Sequence, residues 1–277
     1  MPDAASGGSR PLDVEAVPPP ASVECIRLLD RHPVGVVETI SPRDHMHKTD
    51  PSAYMVVGQQ ALRAIRLALL CAGKDSVESF LDMASGHGRV LRFVKAEYPH
   101  ARMAACDIDH EAVDFCAETF GATPVYGTVD PRELEVPETF DLIWCGSLLT
   151  HLDRPLWRGY LEFFESALPV GGLLVVTTQG RKVASKIRDP EIGNYYIQAD
   201  RREAALRGYD ADGFGYADYD FPEEFRESLS LPQNYGISLA RPSSACSLVE
   251  RSPRLELVTY HEGGWAEQDV IGCVRVD

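Results

Sequence analysis

The chain has 277 residues, 44% hydrophobic and 25% charged, which gives room for one large α/β domain with decoration or for two small ones. A formal net charge of −15 with no Lys/Arg cluster argues against nucleic acid and anionic membrane surfaces as partners, because phosphates attract basic surfaces. No apolar run approaches the roughly 20 residues that span a bilayer. The seven cysteines are scattered without a CxxC pair, which points to reduced, buried thiols in a cytoplasmic protein and to no metal site.

Residues 1–20 are rich in Gly, Ser and Pro without an apolar core, and read as a disordered tail, not a secretory signal. Residues 21–277 then read as a single domain. Leu62, Ile65, Leu69 and Leu70 recur at helical spacing between Ser52 and Ala72. A strand through Val77, Phe80, Leu81 and Met83 ends on Ala84-Ser85-Gly86-His87-Gly88, and Val90, Leu91, Val94 and Tyr98 return to helical period until Pro99. Ala101 to Cys106 is a short strand ending on Asp107. Val113, Cys116 and Phe120 mark the next helix, closed by Gly121, Val125-Tyr126 a third strand, and Phe140 to Cys145 a fourth. Leu156 to Leu168 is amphipathic, and Gly171-Gly172 turns the chain into the strand Leu173 to Thr177. Nearly continuous apolar strands alternating with helices predict a doubly wound, mostly parallel sheet covered on both faces. The pattern breaks after Gly180: residues 181–237 are polar and aromatic-rich with no clear period, an insertion after strand five. A helix near Ser243 to Arg251 and strands at Leu255 to Tyr260 and Val270 to Val276 complete the chain.

The strand that runs into Gly86-His87-Gly88 and then into a helix is a turn where the backbone can approach a ligand that a Cβ would block. Nineteen residues beyond Gly88, Asp107 ends the next strand, where an acidic side chain can accept both ribose hydroxyl protons of an adenosine. A dinucleotide site would want a third glycine at position 91, which is Leu, and Asp82 would repel a diphosphate. Asp82 suits a ligand carrying an ammonium and a sulfonium, which favours S-adenosylmethionine over NAD.

Phe80 to Gly88, Cys106-Asp107-Ile108-Asp109 and Phe140 to Cys145 resemble the first, second and fourth strand motifs of class I methyltransferases, and Pro169 to Leu174 resembles that family's turn into strand five. The resemblance covers about residues 50–180 and, more loosely, the last two strands. It implies a seven-stranded sheet with an antiparallel final strand and S-adenosylmethionine as cofactor. It also implies that Asp107 holds the ribose and that the loop of Ala84, Ser85, Gly86 and Gly88 faces the methionine end. Ile108 and Cys145 join the cofactor-binding set through those strand ends, and Asp130 stands where the family often places a residue near the adenine. Ala84 departs from the family's usual Gly. Similar enzymes carry a Tyr and a Gly ahead of the core that close over the cofactor, as Tyr54 and Gly58 would here. Helix-start packing explains the same pair.

Methyl transfer from a sulfonium is an in-line displacement, so the protein has to align the nucleophile and, for a hydroxyl, remove its proton. Residues after strand four face the methyl group in this fold, and among them His151 is the candidate base; a packing histidine is the alternative. His45-x-His47 with Asp44 and Asp50 lacks a third fixed ligand and reads as a solvated polar stretch. Trp144 reads as core and His87 as a loop residue near the cofactor. Nine of the 24 aromatic residues fall between Tyr195 and Tyr235, a density that suits either a pocket wall or a satellite core. Tyr195, Tyr216, Tyr219 and Tyr235 are the candidate acceptor contacts, with Gln268 between the last two strands. Gly213 to Tyr216, Tyr235 to Leu239 and His261 to Val270 resemble segments of a bacterial small-molecule and glycan-locus subset of the family. The expected activity is O-methylation of a small hydroxylated acceptor, a sugar unit or a secondary metabolite. N- or C-methylation and a non-catalytic cofactor-binding protein are the alternatives.

Overall fold

The computed structural model describes residues 21–189, 191–192, 197–228, 231–232 and 234–277. Its contacts separate residues 1–31, which include the helix α1 (Ala21–Asp30), from His32–Asp277. The second unit opens with α2 (His45–Thr49) and α3 (Tyr54–Cys71). Asp44 is not part of a solvated stretch. It is buried, accepts the Met46 and His47 N–H groups at the start of α2, and takes the Tyr54 hydroxyl at 2.6 Å.

The alternating core follows as β1 (Ser79–Met83), α4 (Leu91–Glu97), β2 (Arg102–Asp107), α5 (His110–Phe120), β3 (Thr123–Tyr126), β4 (Leu142–Cys145), α6 (Arg154–Ala167) and β5 (Leu173–Thr178). Local chemistry sets the helix ends: Asp109 and Asp153 accept N–H groups of Ala112 and Leu156 as N-caps, and Gly121 closes α5 at φ 66°. Every residue of β1, β4 and β5 is buried, because helices cover both faces of the sheet. Successive side chains go to opposite faces. Leu81, Met83, Ile143 and Cys145 pack with Trp157, Leu161 and Phe164 of α6, whereas Phe80, Leu142, Trp144 and Val175 pack with α3 and α4.

The insertion continues as α7 (Arg181–Arg188), α8 (Ala199–Asp212), β6 (Phe214–Asp218), α9 (Glu223–Ser228) and β7 (Gly236–Ala240), where β6 and β7 pair antiparallel as a separate two-stranded sheet. The insertion is therefore regular where the sequence offers no period. The contact face of α8 is built from Ala205, Gly208 and Tyr209, and β6 lies so close that a Cβ on Gly215 would come within 1.7 Å of the Ala205 carbonyl oxygen. Helix–strand contact through small residues leaves no apolar stripe to read.

The chain ends with α10 (Pro242–Glu250), β8 (Leu255–Trp265) and β9 (Gln268–Arg275). The main sheet has seven strands in the order β3-β2-β1-β4-β5-β9-β8, parallel through β5, with β9 antiparallel to both of its neighbours. The last hairpin is longer than its sequence pattern: β8 runs on through a bulge between His261 and Trp265 to a two-residue turn at Ala266-Glu267. Both turn residues have positive φ, 44° and 72°, the geometry of a type I′ hairpin turn without its usual Asn-Gly signal. Gln268 and Asp269 are thus strand residues, not loop residues. All seven cysteines are free; four are buried and Cys71 is exposed.

Candidate functional site

The glycine turn between β1 and α4 is bent by three left-handed residues, Ala84 (φ 60°), Gly86 (φ 49°) and Gly88 (φ 74°). Asp107, at the end of β2, ties it down. One carboxylate oxygen accepts the Gly86 N–H at 2.8 Å and the other accepts the Asp109 N–H at 3.0 Å. Each oxygen keeps a second lone pair for a ligand hydroxyl. Asp82, 1% exposed, has an oxygen without a hydrogen-bond partner among the described residues. Burial and, after it, the negative charge of Asp107 push the Asp82 pKa up to about 8. A buried carboxyl held back from ionising is a receptor for a cation, which would draw off its proton.

Two cavities of about 280 and 270 Å³ open over the carboxyl ends of β1, β2 and β4. Both are lined by Met46, Ala84, Asp107, Ser147 and Tyr235, so they are two arms meeting at the end of β2. The first arm holds Asp82, the glycine turn, Arg89 and His151. The second is lined by Ile108, Thr128, Val129 and Leu134 among others, a setting for a flat heterocycle.

His151 sits in the loop after β4 and lines the first arm. Its Nδ1 lies 3.0 Å from the Gly236 carbonyl oxygen and 3.2 Å from the Tyr219 hydroxyl. A carbonyl can only accept, so Nδ1 carries the proton and Nε2 is the ring's acceptor nitrogen. Tyr235 stacks on the imidazole with centroids 4.8 Å apart. Burial lowers the His151 pKa to about 4, so the ring is neutral at physiological pH. Beneath it, Ser147 (φ 62°) is locked by a ring of bonds: its N–H donates to Thr177 Oγ1, which donates to Gln268 Oε1, and Gln268 Nε2 donates to Ser147 Oγ.

Of the residues expected from sequence, Asp82, Ala84, Ser85, Gly86, Asp107, Ile108, His151 and Tyr235 line the two arms. The others stand behind or away from them. Gly58 packs α3 on α4, where a Cβ would meet the Arg89 carbonyl at 2.4 Å, and Tyr54 is buried with its hydroxyl on Asp44. Gly88 makes room for Phe120. Cys145 is fully buried in the α6 side of the core. Asp130 is engaged by the Arg132 guanidinium and caps a short 3-10 turn, while Thr128 and Val129 line the arm in its place. Tyr216 donates to Asp218, Tyr219 reaches His151, and Gln268 acts through Ser147. Tyr195 lies outside the described residues. Sequence reasoning missed Asp44, His45 and Met46, which line the first arm, together with Arg89 and Trp265. Trp144, read as core, is 1% exposed yet forms part of the same wall, edge-on to Trp265 at 5.2 Å. The sequence signal for Met46 and His45 was the Asp44 cap at the start of α2.

Residues 80–172 match the family model of a methyltransferase domain. Residues 80–172 thus carry a methyltransferase domain, on a sheet with the strand order of the class I S-adenosylmethionine-dependent methyltransferase fold. No curated protein sequence matches it. Among solved structures, an S-adenosylmethionine-dependent methyltransferase from Clostridium acetobutylicum superposes with a TM-score of 0.55 at 13% identity, covering 84% of this chain and 97% of that one. DesVI from Streptomyces venezuelae gives 0.54 at 17% identity, covering 85% and 100%. The 1,6-didemethyltoxoflavin-N1-methyltransferase of Burkholderia thailandensis, solved with 1,6-didemethyltoxoflavin and S-adenosylhomocysteine, gives 0.50 at 12% identity, covering 88% and 94%. At such identities the likeness is one of fold. Among the described residues no group of His, Cys, Asp and Glu is placed to hold a metal ion, and no helix is long and apolar enough to cross a membrane.

Proposed function

We propose that this methyltransferase acts in the cytoplasm on a hydroxyl of a small acceptor, a sugar unit or a secondary metabolite, with His151 as the base. The observation that carries this reading is the Nδ1–H donated to the Gly236 carbonyl, which fixes the ring of a cavity-lining residue and leaves Nε2 as its acceptor nitrogen. S-adenosylmethionine, when bound, supplies a methyl group already activated on a sulfonium. Asp107 would hold the ribose hydroxyls, Asp82 the ammonium, and the apolar arm of Ile108 and Val129 the adenine. Ser147, fixed by Thr177 and Gln268, would shape the wall beside the reacting atoms. His151 Nε2 takes the hydroxyl proton as the oxygen attacks, and the Gly236 carbonyl steadies the imidazolium that forms. Tyr235 and the residues of β6 and β7 would close the acceptor side.

The low basicity of His151 supports a second reading, N-methylation, because a neutral amine needs no proton removed before attack. Release of S-adenosylhomocysteine, measured against parallel panels of hydroxylated and amine acceptors, tests both. Turnover confined to hydroxyl acceptors supports the first reading, turnover confined to amines the second, and cofactor binding without turnover on either panel would make the protein a non-catalytic binder.

A further inference from the structure

Arg226 on α9 is buried, 7% exposed, whereas Arg188 of the same insertion pairs with Asp210 in solvent. Its guanidinium donates to two backbone carbonyls, that of Tyr219 at 2.5 Å and that of Pro232 at 2.8 Å. Its own main chain extends the bracket. The Arg226 N–H donates to the Pro222 carbonyl at 3.1 Å, and its carbonyl accepts the Leu231 N–H at 2.9 Å. One residue thus ties the segment that leaves β6 to the segment that leads into β7. The guanidinium stands 6.0 Å from the ring centroid of Phe221, which in turn stacks on Tyr219 at 4.9 Å.

The two ends of this bracket reach different arms of the cavity. At one end, Leu231 and Pro232 line the second arm together with Ile108, Val129 and Leu134. At the other, Tyr219 donates its N–H to the Tyr235 carbonyl at 3.1 Å, and its hydroxyl lies 3.2 Å from His151 Nδ1. Tyr235 stacks on the same imidazole, and the Gly236 carbonyl accepts its Nδ1–H. Burying a guanidinium is costly unless its donors are used, and an aliphatic side chain of similar volume would fill the space without that cost. What the guanidinium adds is a planar fork with donors in fixed directions. It sets the spacing of two carbonyls, which no aliphatic chain can do.

We propose that Arg226 is a positioning residue for the transfer, coupling the cover of the second cavity arm to the setting of His151. A heterocycle that fills the second arm packs against Leu231 and Pro232. Through Arg226 it then also fixes Tyr219, Tyr235 and the imidazole they hold. This rests on the reading of that arm as the adenine site and adds an order to it: the cofactor binds first and sets the base for the acceptor. Coupling of this kind is reciprocal, so whatever frees His151 from the insertion also loosens the cover over the second arm.

Nitrogen-15 spectra of the histidine rings and calorimetry, both on the whole chain, test this with S-adenosylhomocysteine and 5′-methylthioadenosine as ligands. The wild-type His151 ring carries its proton on Nδ1. Arg226→Met keeps the aliphatic stem and removes the fork. It should shift the ring toward the Nε2–H form that a free imidazole prefers, and the shift should persist at saturating S-adenosylhomocysteine. Both ligands should bind it about three- to tenfold more weakly, the scale of losing one or two apolar contacts to the heterocycle they share. Arg226→Lys keeps the charge and reaches one carbonyl at a time, so it should lose less affinity and regain the Nδ1–H form when saturated with S-adenosylhomocysteine. An unchanged ring or unchanged affinities in Arg226→Met overturn the coupling. So does a lower melting temperature with both readouts at wild-type values, the mark of a residue that only holds the insertion together. If Arg226→Met does not fold, Arg226→Lys decides: a wild-type ring without ligand and wild-type affinities overturn the proposal. Failure of the wild-type chain to bind either ligand removes the cofactor reading beneath it, and the proposal with it.

Discussion

The half of the molecule that holds the glycine turn and the half that covers it are built in different ways. Between β1 and β5 the strands are buried on both faces, each strand bonds a neighbour along its length, and the core spans two layers of helices. The insertion from α7 to β7 has its own small core of Val183, Ala184, Ile187, Ile197, Ala205, Tyr209, Ala217, Ile237 and Leu239. It is fringed by exposed ion pairs such as Arg188 with Asp210, which contribute little in water. The first region has apolar area to spare and frames the candidate site. The second has little and is the cheaper part to open. His151 joins them: its backbone belongs to the loop after β4, but the acceptor of its Nδ1–H is Gly236, at the start of β7. On the proposed reading, cofactor binding rests on the first region and base function on the docking of the second.

The largest expected effect breaks that junction. His151→Ala should lower turnover by about 10²–10⁴-fold, the usual range for loss of a general base, with S-adenosylhomocysteine affinity barely changed. A variant of normal melting temperature and normal turnover would remove the histidine from catalysis. The pH profile gives an independent check. Only the neutral ring accepts a proton, and burial holds the folded pKa near 4, below the ordinary histidine value of 6.5. Turnover limited by His151 should therefore stay level as pH falls through 6.5 and drop only on approach to 4. The same depressed pKa makes protonation favour the unfolded chain, so the stability His151 contributes is present above pH 6.5 and lost between 6.5 and 4.

Next in size is the rigid half alone. Asp107→Ala should weaken S-adenosylhomocysteine binding by about ten- to a hundredfold, since bonds to a charged group are worth roughly 1.5–3 kcal/mol. Asp107→Asn, which keeps one acceptor for the Gly86 or Asp109 N–H, should retain part of the affinity. Equal affinity in wild type and Asp107→Ala by calorimetry would take Asp107 out of the ribose site.

The looser half is probed by Gly215→Ala. A Cβ there meets backbone, the Ala205 carbonyl oxygen, and no side-chain rotation relieves it. Overpacking of this kind costs about 1–3 kcal/mol. Hydrogen exchange should quicken across α8, β6 and β7 while β1 to β5 keep their protection, and turnover should fall more than cofactor affinity. Uniform loss of protection would show that the two halves unfold as one unit.

The smallest effect is at Ala84. A non-glycine residue at φ 60° costs about 1–2 kcal/mol, partly offset by the greater unfolded-state entropy of glycine, about 0.5–1 kcal/mol. Ala84→Gly should therefore raise the melting temperature by about 1–4 °C. A lower value would mean that the methyl group packs usefully in the turn.

The strands and helices from Ser79 to Thr178 were legible because each repeats one local rule. Apolar runs bounded by Gly and Asp make buried parallel strands, and a stripe every three to four residues makes a covering helix. The same rule failed in α8, where Ala205 and Gly208 carry the contact, and at Ala266-Glu267, where an ordinary dipeptide makes the turn. In the site, Asp82, Gly86 and Asp107 were readable from their places at strand ends. Asp44, Arg89 and Trp265 were not, since nothing in their local pattern separates a cavity residue from a cap, a surface cation or a core aromatic.

By itself, then, the sequence determined the order of the elements, the glycine turn and the acidic residues that end β1 and β2, because those depend on neighbours a few positions away. Only the tertiary structure decided which nitrogen of His151 carries the proton and which is left as an acceptor. The carbonyl that settles it is Gly236, 85 residues further along the chain. It reaches the imidazole because Gly215 lets β6 and β7 close onto α8, a contact made by the absence of a side chain, which leaves no apolar pattern to read.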